Sequence, residues 1–177
     1  GAPIGHLRAD AVVARGIALV PEGRRLFSSL TVEENLLIGG QLRRPGPWSL
    51  KRIYELFPVL AERRHLPSTA LSGGQQQMLA IGRALMSAPR LLILDEVSLG
   101  LAPIAVGQLY EALARIRATG VAMLIVEQNI HRGLQLADRA CVLAHGEVRL
   151  TGRPDEIRGS RELRELYVGE DADAGRG

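Results

Sequence analysis

"LSGGQQQMLAIGRALMSAPRLLILDE", residues 71–96, decides the fold. Ser72 and Gln75 stand three apart, the spacing of a reciprocal capping box, so the chain is predicted to enter a helix here. Met78, Leu79, Leu85 and Met86 continue that helix, and "RLLILDE" (90–96) then forms a continuous apolar run ending in two acids. Such a run suits a parallel strand covered on both faces, with its carboxyl end at a ligand edge. A helix N-terminus carries unpaired N–H groups and the positive end of the dipole, and glycines there let an anion approach without Cβ interference. Ser72, Gly73 and Gly74 are therefore equipped to hold a phosphate, although the same residues would also serve as a plain helix cap. Asp95 and Glu96 follow the strand side by side, an arrangement in which one carboxylate binds Mg²⁺ and the other contacts a nucleophilic water.

Upstream, "IALV" (17–20) is a short apolar run closed by Pro21, as for a buried strand leaving the sheet into the loop "PEGRRLFSSL". Thr31 and Glu34 repeat the capping-box spacing, predicting a helix from about 32 through "NLLIGG". Pro45, Gly46 and Pro47 mark a turn. A second helix is expected at about 49–64, with Ile53, Leu56, Phe57 and Leu60 on one face, and Pro67 closes this mostly helical stretch. Downstream come a helix at 103–118 with Pro103 in its first turn and Gly120 beyond its end, a strand at 121–126 and a helix at 130–138. A hairpin then joins "ACVLA" to "EVRLTG" through "HG". Two short helices and the polar tail "EDADAGRG", expected to be disordered, complete the chain. Alternating strands and helices indicate an α/β fold with a mainly parallel sheet, and the helical stretch reads as a small inserted subdomain.

A chain of 177 residues can build one domain with a sizeable core. Its longest apolar runs, such as "VAMLIV" (121–126), fall well short of the ~20 residues that cross a bilayer. "GAPIGHLRAD" has no secretory pattern. The one cysteine, Cys141, excludes an internal disulfide framework and suits a reducing compartment; within "ACVLA" it is expected in the core. Arginine pairs at 24/25, 43/44 and 63/64 could contact nucleic acid, but acids alternate with them and aromatics make up only 3% of residues, so no nucleic-acid partner is expected. Trp48 is read as a packing anchor and His131 as a surface helix residue.

The 71–96 stretch resembles the signature motif, following helix and Walker B strand of ABC-type ATPases, within the P-loop NTPase-like fold. The resemblance covers nearly the whole chain. "VPEGRRLFSSLTVEENL" (20–36), "SLGLAP" (98–103) and "VEQN" (126–129) look like the ATP-binding subunits of branched-chain amino-acid importers, of LivF type. Carried over, the resemblance makes Asp95 the Walker B ligand to Mg²⁺ and Glu96 the catalytic carboxylate that polarises the attacking water. Glu22 falls where most of the superfamily has the Q-loop glutamine, and Gln128 where most have the switch histidine, which puts in doubt any mechanism needing a titratable histidine there. The D-loop, Leu99 to Ala102, lacks the usual terminal aspartate, and Val97 replaces a proline. Ser72, Gly73, Gly74 and Gln75 would cap the γ-phosphate of ATP held by a second subunit.

The resemblance also implies a Walker A loop, G-x-x-x-x-G-K-[ST], and these residues contain none; the single lysine, Lys51, has no glycine-rich run before it. The chain is accordingly expected to be an N-terminally truncated ABC domain, without the first strands and Walker A, inactive by itself. Its expected divisions are a helical subdomain at about 31–70, the signature, Walker B, D-loop and switch region at 71–151, and C-terminal helices and tail at 152–177. The implied cofactors are ATP and Mg²⁺. Implied partners are a second ABC ATPase subunit in a head-to-tail heterodimer, two membrane permease subunits and, indirectly, an extracytoplasmic binding protein, with the chain peripheral on the cytoplasmic membrane face. Phe27, Arg24 and Arg25 are candidates to meet a coupling helix of the permease. Alternatives are a urea or amide importer subunit, a DNA-repair ABC ATPase, and a non-catalytic module completing a partner's site. The DNA-repair relatives carry long coiled coils between Q-loop and signature, and no sustained heptads stand here.

Overall fold

A computed structural model describes residues 3–42 and 44–163, which leaves Arg43, the polar tail and the greater part of the expected second C-terminal helix outside the described residues. The chain divides into two compact units, residues 1–127 and 128–177.

The first unit is built on three parallel strands, β1 (Ile17–Val20), β2 (Leu91–Asp95) and β3 (Ala122–Val126), in the order β1-β2-β3. The register pairs Leu19 with Ile93 and Ile93 with Leu124, so these three share a face; Val20, Leu94 and Ile125 share the other. Helix α1 (Ala9–Ala14) precedes β1, and α2 (Val32–Gly39), α3 (Leu50–Leu56) and α4 (Pro58–Glu62) fill the stretch before α5 (Gly73–Met86); α6 (Pro103–Arg117) links β2 to β3. Ala18, Val20, Leu92 and Leu94 are buried, and α5 packs against β1, α2, α3, α4 and α6. Both crossovers step the same way along the sheet, and right-handed connections therefore place α5 and α6 on one face. The expected cover on both faces is met on that face only among the described residues. Leu19 (55% exposed), Leu124 (53%) and Val126 (47%) remain open.

The predicted elements form with two differences. The helix expected at about 49–64 is two helices, α3 and α4, broken at Phe57 with φ −129° and ψ 79°. Pro58 is the cause, because its ring drives the preceding residue out of the helical region. Helix α1 was not foreseen; the Arg44 guanidinium ties it down by donating to the Val13 (3.1 Å) and Ala14 carbonyls.

Both predicted capping boxes are present. At α2 the Thr31 backbone N–H (2.8 Å) and hydroxyl (2.8 Å) donate to the Glu34 carboxylate, and these bonds hold the Glu34 carboxyl below its ordinary range. A carboxyl depressed in the folded state stabilises fully above its unfolded pKa and loses that contribution as pH falls through the folded value. Glu34→Gln should therefore lower the urea midpoint at neutral pH, with the gap from the parent closing towards acid pH. A gap independent of pH would show that the carboxylate is not the source.

The second unit contains α7 (Ile130–Leu136), the antiparallel pair β4 (Ala140–Ala144) and β5 (Glu147–Gly152), and α8 (Pro154–Gly159). His145 (φ 52°) and Gly146 (φ 80°) form the tight "HG" turn. Leu134, Ile157 and Leu163 make its core, with Ala140 and Val142 packed against them. That register sends Cys141 to the opposite face, where it is exposed rather than in the core as expected. His131 is exposed on α7, as read from the sequence.

Candidate functional site

Parallel strands bring their carboxyl ends to one edge, and the acids sit there. Asp95 is the last residue of β2, opposite Val126 of β3. Glu96 follows with φ 46°, a left-handed conformation rarely adopted by a non-glycine residue. Main-chain bonds hold it: the Glu96 N–H donates to the Val126 carbonyl (3.0 Å), and the Glu96 carbonyl accepts from the Leu99 N–H (3.1 Å). Strain at such a position costs on the order of 1–3 kcal/mol and persists only where surrounding contacts enforce it, commonly at functional sites. Both acids are partly exposed, while Val97 and Ser98 beyond them are buried. Glu22 lies exposed in the turn leaving β1, at the same sheet edge, because Val20 pairs with Leu94. Glu22, Asp95 and Glu96 thus share one edge of the first unit.

The start of α5 supplies the second element. Gln75 N–H donates to Ser72 Oγ (3.4 Å), and Ser72 N–H donates to Gln75 Oε1 (3.0 Å). This reciprocal pair satisfies the amides of Ser72 and Gln75, so Gly73 and Gly74 are the first-turn donors with no carbonyl above them. A Cβ on Gly74 would meet the Ala105 Cβ at 2.6 Å, so glycine lets the helix start lie directly on α6. Beside Gly73 sits the Arg24 guanidinium, 3.0 Å from where a Cβ would be, and its Nη1 donates to Gln76 Oε1 (3.0 Å). An anion at this helix end would therefore meet two amides, the helix dipole and an arginine charge. The loop after β1 and the start of α5 also enclose a cavity of ≈ 190 Å³ lined by Gly23, Arg24, Leu26, Ser28, Ser68, Thr69 and Gln76.

Gln128 opens the second unit, exposed, immediately before Asn129, whose Oδ1 accepts from the Arg132 N–H (3.1 Å) to cap α7. The turn after Glu96 leaves Leu99 and Gly100 exposed, with Gly100 at φ 68°.

Several residues that shape the site escaped the sequence reading. Asn35, fully buried in α2, accepts from the Phe27 N–H (3.0 Å) and donates to the carbonyls of Phe27 (3.0 Å), Leu30 (3.3 Å) and Thr31 (2.9 Å). Ser68 Oγ adds a further bond to the Phe27 carbonyl (3.0 Å). The Phe27 main chain is thus pinned while its side chain is 47% exposed. A polar residue on the apolar face of α2, between Val32 and Leu36, was the available signal. Arg83, within the otherwise apolar "AIGRALM", was another.

A divalent cation fits the acid pair in a limited sense. Among the described residues no group of three His, Cys, Asp or Glu could hold a metal ion. Mg²⁺ usually takes one or two carboxylates and completes its shell with phosphate oxygens and water, which Asp95 with its neighbour Glu96 can serve. Among the described residues no helix is long and apolar enough to cross a membrane.

A family model described as ABC transporter matches residues 4–98. The chain is 46% identical to the high-affinity branched-chain amino acid transport ATP-binding protein BraG of Pseudomonas aeruginosa, over 92% of this chain and 71% of that protein. It is 30% identical to the lipopolysaccharide export system ATP-binding protein LptB of Haemophilus influenzae, over 88% of this chain and 66% of that one. Among solved structures, the ADP conformation of an ATP-binding cassette from an ABC transporter superposes with a TM-score of 0.72 at 25% identity, covering 94% of this chain and 73% of that one.

Proposed function

Because this chain belongs to the ABC transporter family of ATP-hydrolysing subunits, we propose that it serves as an ATP-binding subunit of an importer for branched-chain amino acids. The observation that carries the ATPase part is the acid pair at the end of β2, with Glu96 held in a left-handed turn beside β3. The substrate class rests on the 46% identity to BraG. The 30% identity to LptB supports a second, weaker reading, an export subunit.

ATP, when bound with Mg²⁺, supplies the phosphoryl group whose transfer to water releases the free energy for transport. Asp95 is the residue to hold the cation, directly or through water. Glu96 orients the water and accepts its proton as the bond to phosphorus forms. Ser72, Gly73, Gly74 and Gln75 present the helix end to the γ-phosphate of a nucleotide bound by a second ABC subunit in a head-to-tail dimer, which we propose to be a heterodimer. Glu22, at the Q-loop position, faces the phosphate region beside the acid pair, and Gln128 stands at the switch position. Gln128 has no titratable group to take a proton, and we assign that role to Glu96 because it follows Asp95 at the end of β2. Among the described residues, the 72–75 helix end and the acid pair are parts offered to ATP.

The pinned Phe27, with Arg24 and Arg25 beside it, would meet one of two membrane permease subunits, placing the chain peripherally on the cytoplasmic face. A binding protein on the other side would deliver the substrate. The test is genetic. Removing the coding sequence should bring uptake of labelled leucine, isoleucine and valine to background, with restoration from a plasmid copy and unchanged uptake of urea. Unaffected amino-acid uptake with lost urea uptake would transfer the assignment to an amide importer.

A further inference from the structure

The loop after β1 contains three consecutive left-handed residues, Gly23 (φ 76°), Arg24 (φ 65°) and Arg25 (φ 47°). Two of these are not glycine, so the turn is uphill by itself and other groups must hold it. Its internal bonds are an Arg24 N–H to the Pro21 carbonyl (3.3 Å) and an Arg25 N–H to the Gly23 carbonyl (2.6 Å). The external hold comes from Arg83, on the third turn of α5. Its Nη2 donates to the carbonyls of both Arg24 (3.4 Å) and Arg25 (2.7 Å), and its guanidinium lies 5.2 Å from the centre of the Phe27 ring. Its buried Nη1 has no hydrogen-bond partner among the described residues, leaving the aromatic ring as its compensation. The same helix is gripped a second time, near its start, by the Arg24 side chain on Gln76. Gln76 in turn donates to the carbonyls of Ser68 (3.3 Å) and Leu71 (3.3 Å), immediately before Ser72.

We propose that Arg83 is a positioning residue that clamps the 23–25 turn onto α5, so that the loop after β1 and the helix end at Ser72–Gln75 move as one piece. A push on Phe27 or Arg25 then displaces the phosphate-facing amides of Gly73 and Gly74 without a flexible joint between them. The guanidinium is suited to the task because Nη2 donates to both carbonyls while its central carbon stays over the Phe27 ring, a spread of contacts that the compact ammonium of lysine matches less well. Burial pulls the Arg83 pKa down from its ordinary value, but an arginine stays charged at physiological pH.

This inference rests on the proposed ATPase role only for its kinetic consequence; the mechanical link is testable without it. Hydrogen exchange would be followed on the assembled protein for Arg83→Met, which keeps the apolar stem, for Arg83→Lys, and for Arg24→Met, which cuts the second grip. In Arg83→Met, amides 24–27 should exchange on the order of tenfold faster, amides 73–75 should accelerate with them, and those of Leu92, Leu94 and Ile125 should be unchanged. Arg83→Lys should lie between parent and Met variant. Arg24→Met should loosen 73–75 while leaving 24–27 nearly as protected as in the parent. Acceleration at 24–27 without any at 73–75, or an equal rise in the strands, would overturn the clamp. Should Arg83→Met fail to fold, the Arg83→Lys and Arg24→Met patterns decide by the same criteria. In ATPase assays the clamp predicts a fall in kcat for Arg83→Met with KM for ATP nearly constant; a raised KM at constant kcat would count against it. Absence of ATPase activity in the parent assembled with its partner subunits would instead remove the proposed function and leave the exchange result standing.

Discussion

Glu96→Gln is expected to lower ATP turnover of the assembled transporter by roughly 10²- to 10⁴-fold while ATP still binds, the range by which a positioned general base accelerates a reaction. Glutamine preserves size and most hydrogen-bonding capacity, so the left-handed turn bonded to Val126 and Leu99 should survive. It cannot take a proton from water. A loss in kcat and in kcat/KM by equal factors is the signature of an interaction made in the transition state. Near-normal turnover would remove Glu96 from the catalytic role, and lost ATP binding would point to Glu96 as part of the ground-state site instead.

The second large effect is on the fold. Leu79 is fully buried near the middle of α5, the helix that packs against β1, α2, α3, α4 and α6. Leu79→Ala is expected to cost about 2–5 kcal/mol, the range for a leucine truncated at a site that cannot collapse. That corresponds to a factor of about 30 to several thousand in the folded-to-unfolded ratio, against a typical total stability of about 5–15 kcal/mol. The urea midpoint should fall with the slope unchanged. Leu79→Met, which conserves volume, should cost less than about 1.5 kcal/mol. A truncation cost under about 0.5 kcal/mol would mean that α5 is not the centre of the packing.

Much of the site was legible because its parts are local. A capping box needs residues three apart, so Ser72 with Gln75 and Thr31 with Glu34 could be read directly, and both formed. Asp95 and Glu96 were legible because an apolar run must end where the strand leaves the sheet. The break at Phe57 is also local: Pro58 stands within an apolar spacing that is otherwise helical, and its ring overrides that periodicity. Cys141 was misplaced for a different reason. An alternating strand has two faces, and "ACVLA" does not say which one meets the core; Leu134 and Ile157 choose Ala140 and Val142.

By itself, then, the sequence determined the family resemblance, the parallel α/β class, the capped start of α5 and the acids at the end of β2. Each depends on chemistry within a few residues. Only the tertiary structure decided the strand order β1-β2-β3, which puts both crossover helices on one face and leaves Leu19 and Leu124 open on the other. It alone decided that Asn35 pins Phe27, and that Arg83 and Arg24 join the loop after β1 to the start of α5. Those bonds link residues tens of positions apart, and no local propensity favours a left-handed Arg24 or Arg25. The physical reason is that backbone conformations uphill in isolation are selected by partners that only the folded chain brings within hydrogen-bonding distance.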